Sequence, residues 1–137
     1  MAIKKLNFKH VIGGIISKLK ENSIKAFDIV DPNQTTPFCY IELVNVKAAN
    51  TKTSNMDVFT VWIHAFADST NSSIPVLNLC QEIEEALTED INIPEPFWLV
   101  SQGVTGLNSL YQENETQEKH AVIELELKVC YGFESKV

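Results

Sequence analysis

The chain has 137 residues, 45% hydrophobic and 21% charged, which fits a single domain over 1–137 with a core that needs neither disulfides nor metals. Its net charge of −7 is built from 11 Lys and no Arg. That excludes the usual footprint of a specific nucleic-acid binder, a basic body with Arg forks for phosphates and base edges, and no apolar run approaches the ~18 residues of a membrane helix.

The amino terminus, MAIKKLNFKHVIGGIISKLKE, places basic residues ahead of apolar ones, as a signal peptide does. Lys9, His10, Lys18 and Lys20 interrupt the apolar part, and no small-residue cleavage site follows. Ile12, Ile15, Ile16 and Leu19 instead recur at the spacing of one helical face, which predicts a helix over Leu6–Glu21. Gly13 and Gly14 weaken it by about 1 kcal/mol each relative to Ala, so they mark either close packing or a bend. Asn22 and Ser23 end the helix. Lys25–Val30 reads as a short strand closed by the turn Asp31-Pro32-Asn33, and Phe38–Val46 as a second strand.

Lys47–Asn55, KAANTKTSN, has no apolar face. It reads as a loop, long for a hairpin connection, and long loops on rigid scaffolds often carry binding function. The candidate partner-binding residues are therefore Lys47, Asn50, Thr51, Lys52, Thr53 and Asn55. Asp57–Ala67 is the strongest strand. Phe59, Val61, Ile63 and Ala65 share one face, and Val58, Thr60, Trp62, His64 and Phe66 the other. Both faces are largely apolar, as in a central strand covered on both sides. His64 reads as a core or interface histidine, since no second His, Cys or carboxylate stands at ligand spacing near it.

Asn71, Ser72 and Ser73 offer helix caps, and Pro75 fits only a first helical turn, which sets a second helix over about 73–88. Ile74, Leu77, Cys80, Ile83, Ala86 and Leu87 form its expected buried stripe. Glu82, Glu84, Glu85 and Glu89 read as a solvated face, with nothing apolar placed to raise a carboxyl pKa. A Pro-punctuated linker, Ile91–Pro96, leads to an irregular strand, Phe97–Tyr111, bent at Gly103 or Gly106. Gln112–Lys119 is a charged turn. In His120–Phe133, Val122, Glu124, Glu126 and Lys128 alternate with Ile123, Leu125, Leu127, Val129 and Tyr131, a half-exposed antiparallel strand closing a long hairpin. The order α-β-β-β-α-β-β predicts an α+β fold, a mainly antiparallel sheet of hairpins with both helices packed on one face.

No phosphate-binding glycine loop, dinucleotide-binding glycine run, HExxH, GxSxG or EF-hand pattern occurs. No catalytic, cofactor-binding or metal-binding residue is therefore nominated, nor a cofactor or small-molecule substrate, and an enzyme is the least expected class. Cys39, Cys80 and Cys130 are far apart and odd in number. They read as small buried hydrophobes, with a reducing cytoplasm as the expected compartment. Residues 1–25 carry +5 and the remainder −12. A basic arm on an acidic body fits head-to-tail self-association or docking on an acidic partner, and equally fits simple solubility.

The succession of KAFDIV, TPFCYIEL, the polar NTKTSN, DVFTVWIHAFADS, a helix ending LCQEIEEAL and HAVIELELKV resembles the small tail-completion proteins of long-tailed phages and prophages, also called tail terminators or head–tail joining proteins. The similarity spans roughly Ile15 to Val129 and is strongest over Thr36–Leu43, Lys52–Ala67 and the helix to Leu87. The resemblance implies an α+β structural protein of the virion that forms a hexameric ring, caps the tail tube and meets the head connector. The implied partners are the chain itself, the tail tube protein and the connector or head-completion protein. The implied location is the tail or neck of the virion, and the host cytoplasm before assembly. Another neck component and a small cytoplasmic protein-binding module are the alternative readings. Where relatives carry an Asp-x-Asp-Gly turn before the last strand, this chain has QENETQEK.

Overall fold

The computed structural model describes residues 4–29, 34–68, 72–112 and 119–133. The elements are α1 (Phe8–Glu21), β1 (Ala26–Phe27), β2 (Phe38–Ala48), β3 (Ser54–Ala67), α2 (Ile74–Ala86), β4 (Trp98–Gln112) and β5 (Lys119–Phe133). One sheet holds all five strands in the order β1-β2-β3-β5-β4. β3 is its centre, paired antiparallel to β2 on one side and β5 on the other. The fold is the expected α+β arrangement. β1 departs from the hairpin pattern, because it pairs parallel to β2 through Ala26 and Phe27 alone. The connection over 28–37 brings the chain back to the same end of the sheet instead of reversing it.

Both helices cover one face. Asn7 caps α1, its side chain accepting from the Lys9 N–H at 3.0 Å. α1 buries Val11, Ile15 and Leu19, with Ile12 and Ile16 half-buried beside them. Its two glycines differ. A Cβ on Gly14 would lie 3.1 Å from Ile91 Cδ1 and 3.3 Å from the Asn92 carbonyl oxygen, whereas Gly13 faces open space. Close packing therefore explains Gly14 alone. Ser23 takes φ +62°, the left-handed conformation that turns the chain out of the helix.

In α2 the N-cap residue is Ser73, whose side chain makes no capping hydrogen bond; Ser72 Oγ, one residue earlier, accepts from the Ile74 N–H at 3.1 Å instead, and Asn71 lies outside the described residues. The buried stripe is Val76, Leu79, Cys80, Ile83, Ala86 and Leu87. Ile74 and Leu77, expected inside, are 64% and 42% exposed. Apolar residues crowd the first two turns, and packing selects the set in i, i+3, i+4, i+7 register from Val76. These stripes meet the sheet face made by Ile41, Phe59, Val61, Ile63, Ile123, Leu125 and Leu127, all buried. Each such side chain contributes ~1.5–3 kcal/mol of transfer free energy. No described helix is long and apolar enough to cross a membrane.

β4 and β5 form the expected long hairpin. Three register shifts break their ladder, between Leu99 and Ser101, Val104 and Gly106, and Leu107 and Ser109. Gly106, with φ +156°, sits at the middle one and is the bend that glycine permits. The charged turn expected at Gln112–Lys119 and the turn at Asp31-Pro32-Asn33 fall largely outside the described residues.

Candidate functional site: hairpin tip and helix-free sheet face

The expected loop over Lys47–Asn55 is shorter than the sequence implies. β2 continues to Ala48 and β3 begins at Ser54, leaving 49–53 as the connection. Lys47 is a strand residue opposite Val58, and Asn55 one opposite Gly132. The remaining candidates are held by local hydrogen bonds. Thr51 Oγ1 accepts from the Ser54 N–H at 3.0 Å, and the Thr51 N–H donates to the Ser54 carbonyl at 3.0 Å. Asn50 Oδ1 accepts from the Met56 N–H at 2.9 Å. These side chain–backbone bonds turn a polar segment into an ordered tip, which hydropathy alone does not reveal. Asn50 and Thr51 thus build the tip, and Lys47, Lys52 and Thr53 project from it, all exposed.

A buried polar knot sits at the base of this hairpin. Asp57 accepts from the Tyr131 hydroxyl at 2.8 Å and from Lys5 Nζ at 3.4 Å. Lys5 also lies over the Tyr131 ring, 5.5 Å from its centroid. Burial, reinforced by the Asp57 carboxylate, pushes the Tyr131 phenol well above its usual range, so it stays a neutral donor. The knot ties the segment before α1 to β3 and β5. Sequence reasoning missed it, and the only available signal was an acid opening a strand whose other inward positions are apolar.

The sheet face without helices carries aromatic and polar side chains. His64 Nε2 lies 2.7 Å from Glu42 Oε1, which accepts from it, and His64 Nδ1 shares a hydrogen bond with His120 Nε2 at 3.0 Å whose direction follows the ring tautomers. His64 and His120 are both buried, so the core reading of His64 stands. The expectation of no second histidine or carboxylate beside it is corrected. Antiparallel pairing sets His120 opposite Phe66 and Glu42 opposite Trp62, each one diagonal step from His64. Rings stack around this line, Tyr40 on His64 at 4.2 Å and Phe66 on His120 at 4.1 Å between centroids. A second line runs from Trp62 Nε1 to Glu124 at 3.3 Å and on to Thr105 Oγ1 at 2.6 Å. Only two nitrogens converge in the first line, with Glu42 on the far side of His64. Among the described residues no group of three or more His, Cys, Asp or Glu is placed to hold a metal ion.

Cys39 and Cys80 are buried thiols. Desolvation pushes Cys39 up to about 12 and Cys80 up to about 11, so both are protonated at neutral pH. Glu82, Glu84, Glu85 and Glu89 are exposed, as expected of a solvated helix face.

The family described as "Putative tail termination protein" matches residues 2–137, nearly the whole chain. The chain belongs to the phage tail terminator family. Membership makes it a structural protein of the phage virion with a role in tail completion. Among solved structures, a chain from the "Virion of native gene transfer agent (GTA) particle" superposes with a TM-score of 0.65 at 13% identity. The match covers 85% of this chain and 84% of that one, and at this identity the likeness is one of fold. No curated protein matches the chain at a significant level. The sequence resemblance and the family match point the same way.

Proposed function

We propose that this tail terminator assembles as a ring, six-fold in the family pattern, that closes the finished tail tube and offers the head connector its docking surface. The observation that carries the reading is the family match over residues 2–137. The ring acts by contact and not by bond chemistry, and its partners are copies of itself, the tail tube protein and the connector or head-completion protein. The split of +5 in residues 1–25 against −12 in the rest supports it, because unlike patches on one chain favour heterologous, head-to-tail contacts.

The β2–β3 tip is the surface that meets the tube or the connector. Its internal hydrogen bonds fix it before any partner arrives, which lowers the ordering cost of docking. Lys47 and Lys52 supply positive charge on an otherwise acidic body. The double variant Lys47→Glu with Lys52→Glu should keep the wild-type circular dichroism and melting temperature. Phage carrying it should yield tails without heads, counted by negative-stain electron microscopy of lysates. A normal count of complete particles would overturn the role assigned to the tip.

A further inference from the structure

We infer that the two free edges of the sheet are halves of one joint: β4 of one copy pairs antiparallel with the Ile41–Ala48 stretch of β2 in the next, so that the sheet runs on from subunit to subunit. The inference rests on the ring reading above and assigns its interface.

β4 is a 15-residue edge strand, WLVSQGVTGLNSLYQ, without a single charged residue. Natural edges are kept from pairing by short length, lysines, proline or bulges. β4 has only the last of these, its three register shifts against β5. No side chain from Trp98 to Leu107 is buried, and Trp98, Val100 and Leu107 rank among the exposed large hydrophobics. At the opposite end of the sheet β1 covers only Cys39 and Tyr40. Among the described residues, Ile41 to Ala48 of β2 has a strand partner on its β3 side alone, and Val44 is exposed there at a bulge.

Each edge borders a groove on the helix side. Beside β2 it holds about 330 Å³, over Ile12, Gly13, Ile16 and Leu43, with Lys9 and Asp28 on its rim. Beside β4 it holds about 550 Å³, over Leu87, Gly103 and Val104, with Glu84 on its rim. An added strand on either edge would point alternate side chains into the groove. Gly13, the α1 glycine that no contact within the chain explains, opens onto the first groove.

The occupant that fits both edges is a second copy. β4 runs against β5, β5 against β3, and β3 against β2, so β4 and β2 point in opposite directions. A cyclic rotation about an axis near the strand direction preserves these directions and brings β4 beside the neighbour's β2 antiparallel, on the same face. α1 with Lys9 and Lys20 then approaches the acidic end of the neighbour's α2 with Glu84 and Glu85, while Lys18 and Glu89 are already paired within the chain at 3.5 Å. A two-fold β4–β4 contact would instead set Glu84 near its own copy and leave Ile41–Ala48 unpaired.

The test uses the full chain, in solution and on isolated tail tubes, read by native mass spectrometry and sedimentation. Val100→Lys with Leu107→Lys blocks the β4 edge. Val44→Pro blocks the β2 edge at a bulge residue, with Val44→Lys as the substitute if circular dichroism shows that the proline disturbs the fold. Each variant should weaken self-assembly by about tenfold or more. Mixed in equal amounts, the two should form a one-to-one dimer and nothing larger, since each retains one working edge. Wild-type assembly by folded variants, or growth of the mixture beyond a dimer, overturns the joint while leaving the ring intact. A wild-type chain that stays monomeric in solution and on tubes overturns the ring reading, and the joint with it.

Discussion

Replacing Asp57 by Ala tests whether the knot at the hairpin base holds the fold as the geometry implies. The variant leaves the buried Tyr131 hydroxyl without the acceptor it has at 2.8 Å, and an orphaned buried donor costs ~1–3 kcal/mol. The Lys5 ion pair adds little, because that side chain is 58% exposed and water screens it. The expected loss is ~2 kcal/mol, or a fall in melting temperature of ~6 °C for a chain of this length. Urea titration followed by Trp fluorescence reads it directly. Tyr131→Phe alone leaves the buried carboxylate with the longer, screened Lys5 contact at 3.4 Å and should cost a similar amount. The double variant removes both partners together, so its loss should fall short of the summed single losses by ~1–2 kcal/mol. Strict additivity, or an Asp57→Ala protein within ~0.5 kcal/mol of wild type, would refute the knot.

The paired glycines of α1 predict opposite signs. Gly13→Ala should stabilise by up to about 1 kcal/mol through helix propensity, while Gly14→Ala should destabilise because its Cβ meets Ile91 and the Asn92 carbonyl; thermal melts of the two variants compare them. Cys39, Cys80 and Tyr131 all have folded-state pKa values raised above their ordinary ones. Their contribution is then complete below pH 9 for the thiols and pH 10 for the phenol, and is lost as pH climbs through the raised values. Urea midpoints should fall steeply from pH 9 to 11, and less steeply in a Cys39→Ala, Cys80→Ala variant. Thr51→Val should leave global stability nearly unchanged but quicken amide hydrogen exchange at Thr53 and Ser54, whose N–H groups bond to Thr51 Oγ1.

What the sequence made legible follows from how far apart the interacting residues lie. The stripe Ile12, Ile15, Ile16 and Leu19 and the alternation in β5 are local patterns, and the structure reproduces them; β3, with two apolar faces, reads as covered on both sides, but both helices lie on one face and Val58, Thr60 and Trp62 on the other are half-buried. The α2 stripe failed in its first half, because Ile74, Val76, Leu77, Leu79 and Cys80 offer two apolar faces and only the facing sheet chooses. The tip looked longer than it is because Thr51 and Asn50 stabilise it with side chain–backbone bonds, which leave no hydropathy signal. His64 and His120 are 56 positions apart, and Asp57 and Tyr131 are 74 apart. Their meetings depend on strand order and register, which local periodicity does not encode. β1 was visible as a strand, but its parallel pairing was not.

The Glu42–His64–His120 line also bears on how this sheet finds its alignment. β3 has apolar residues on both faces, Val58, Trp62 and Phe66 as well as Phe59, Val61 and Ile63, so hydrophobic burial alone would tolerate a slip of one residue. A slip would turn His64 toward the helices and strand an imidazole among apolar side chains, at ~1–3 kcal/mol for each lost partner. Three polar side chains on three adjacent strands therefore act as a key that only one alignment turns.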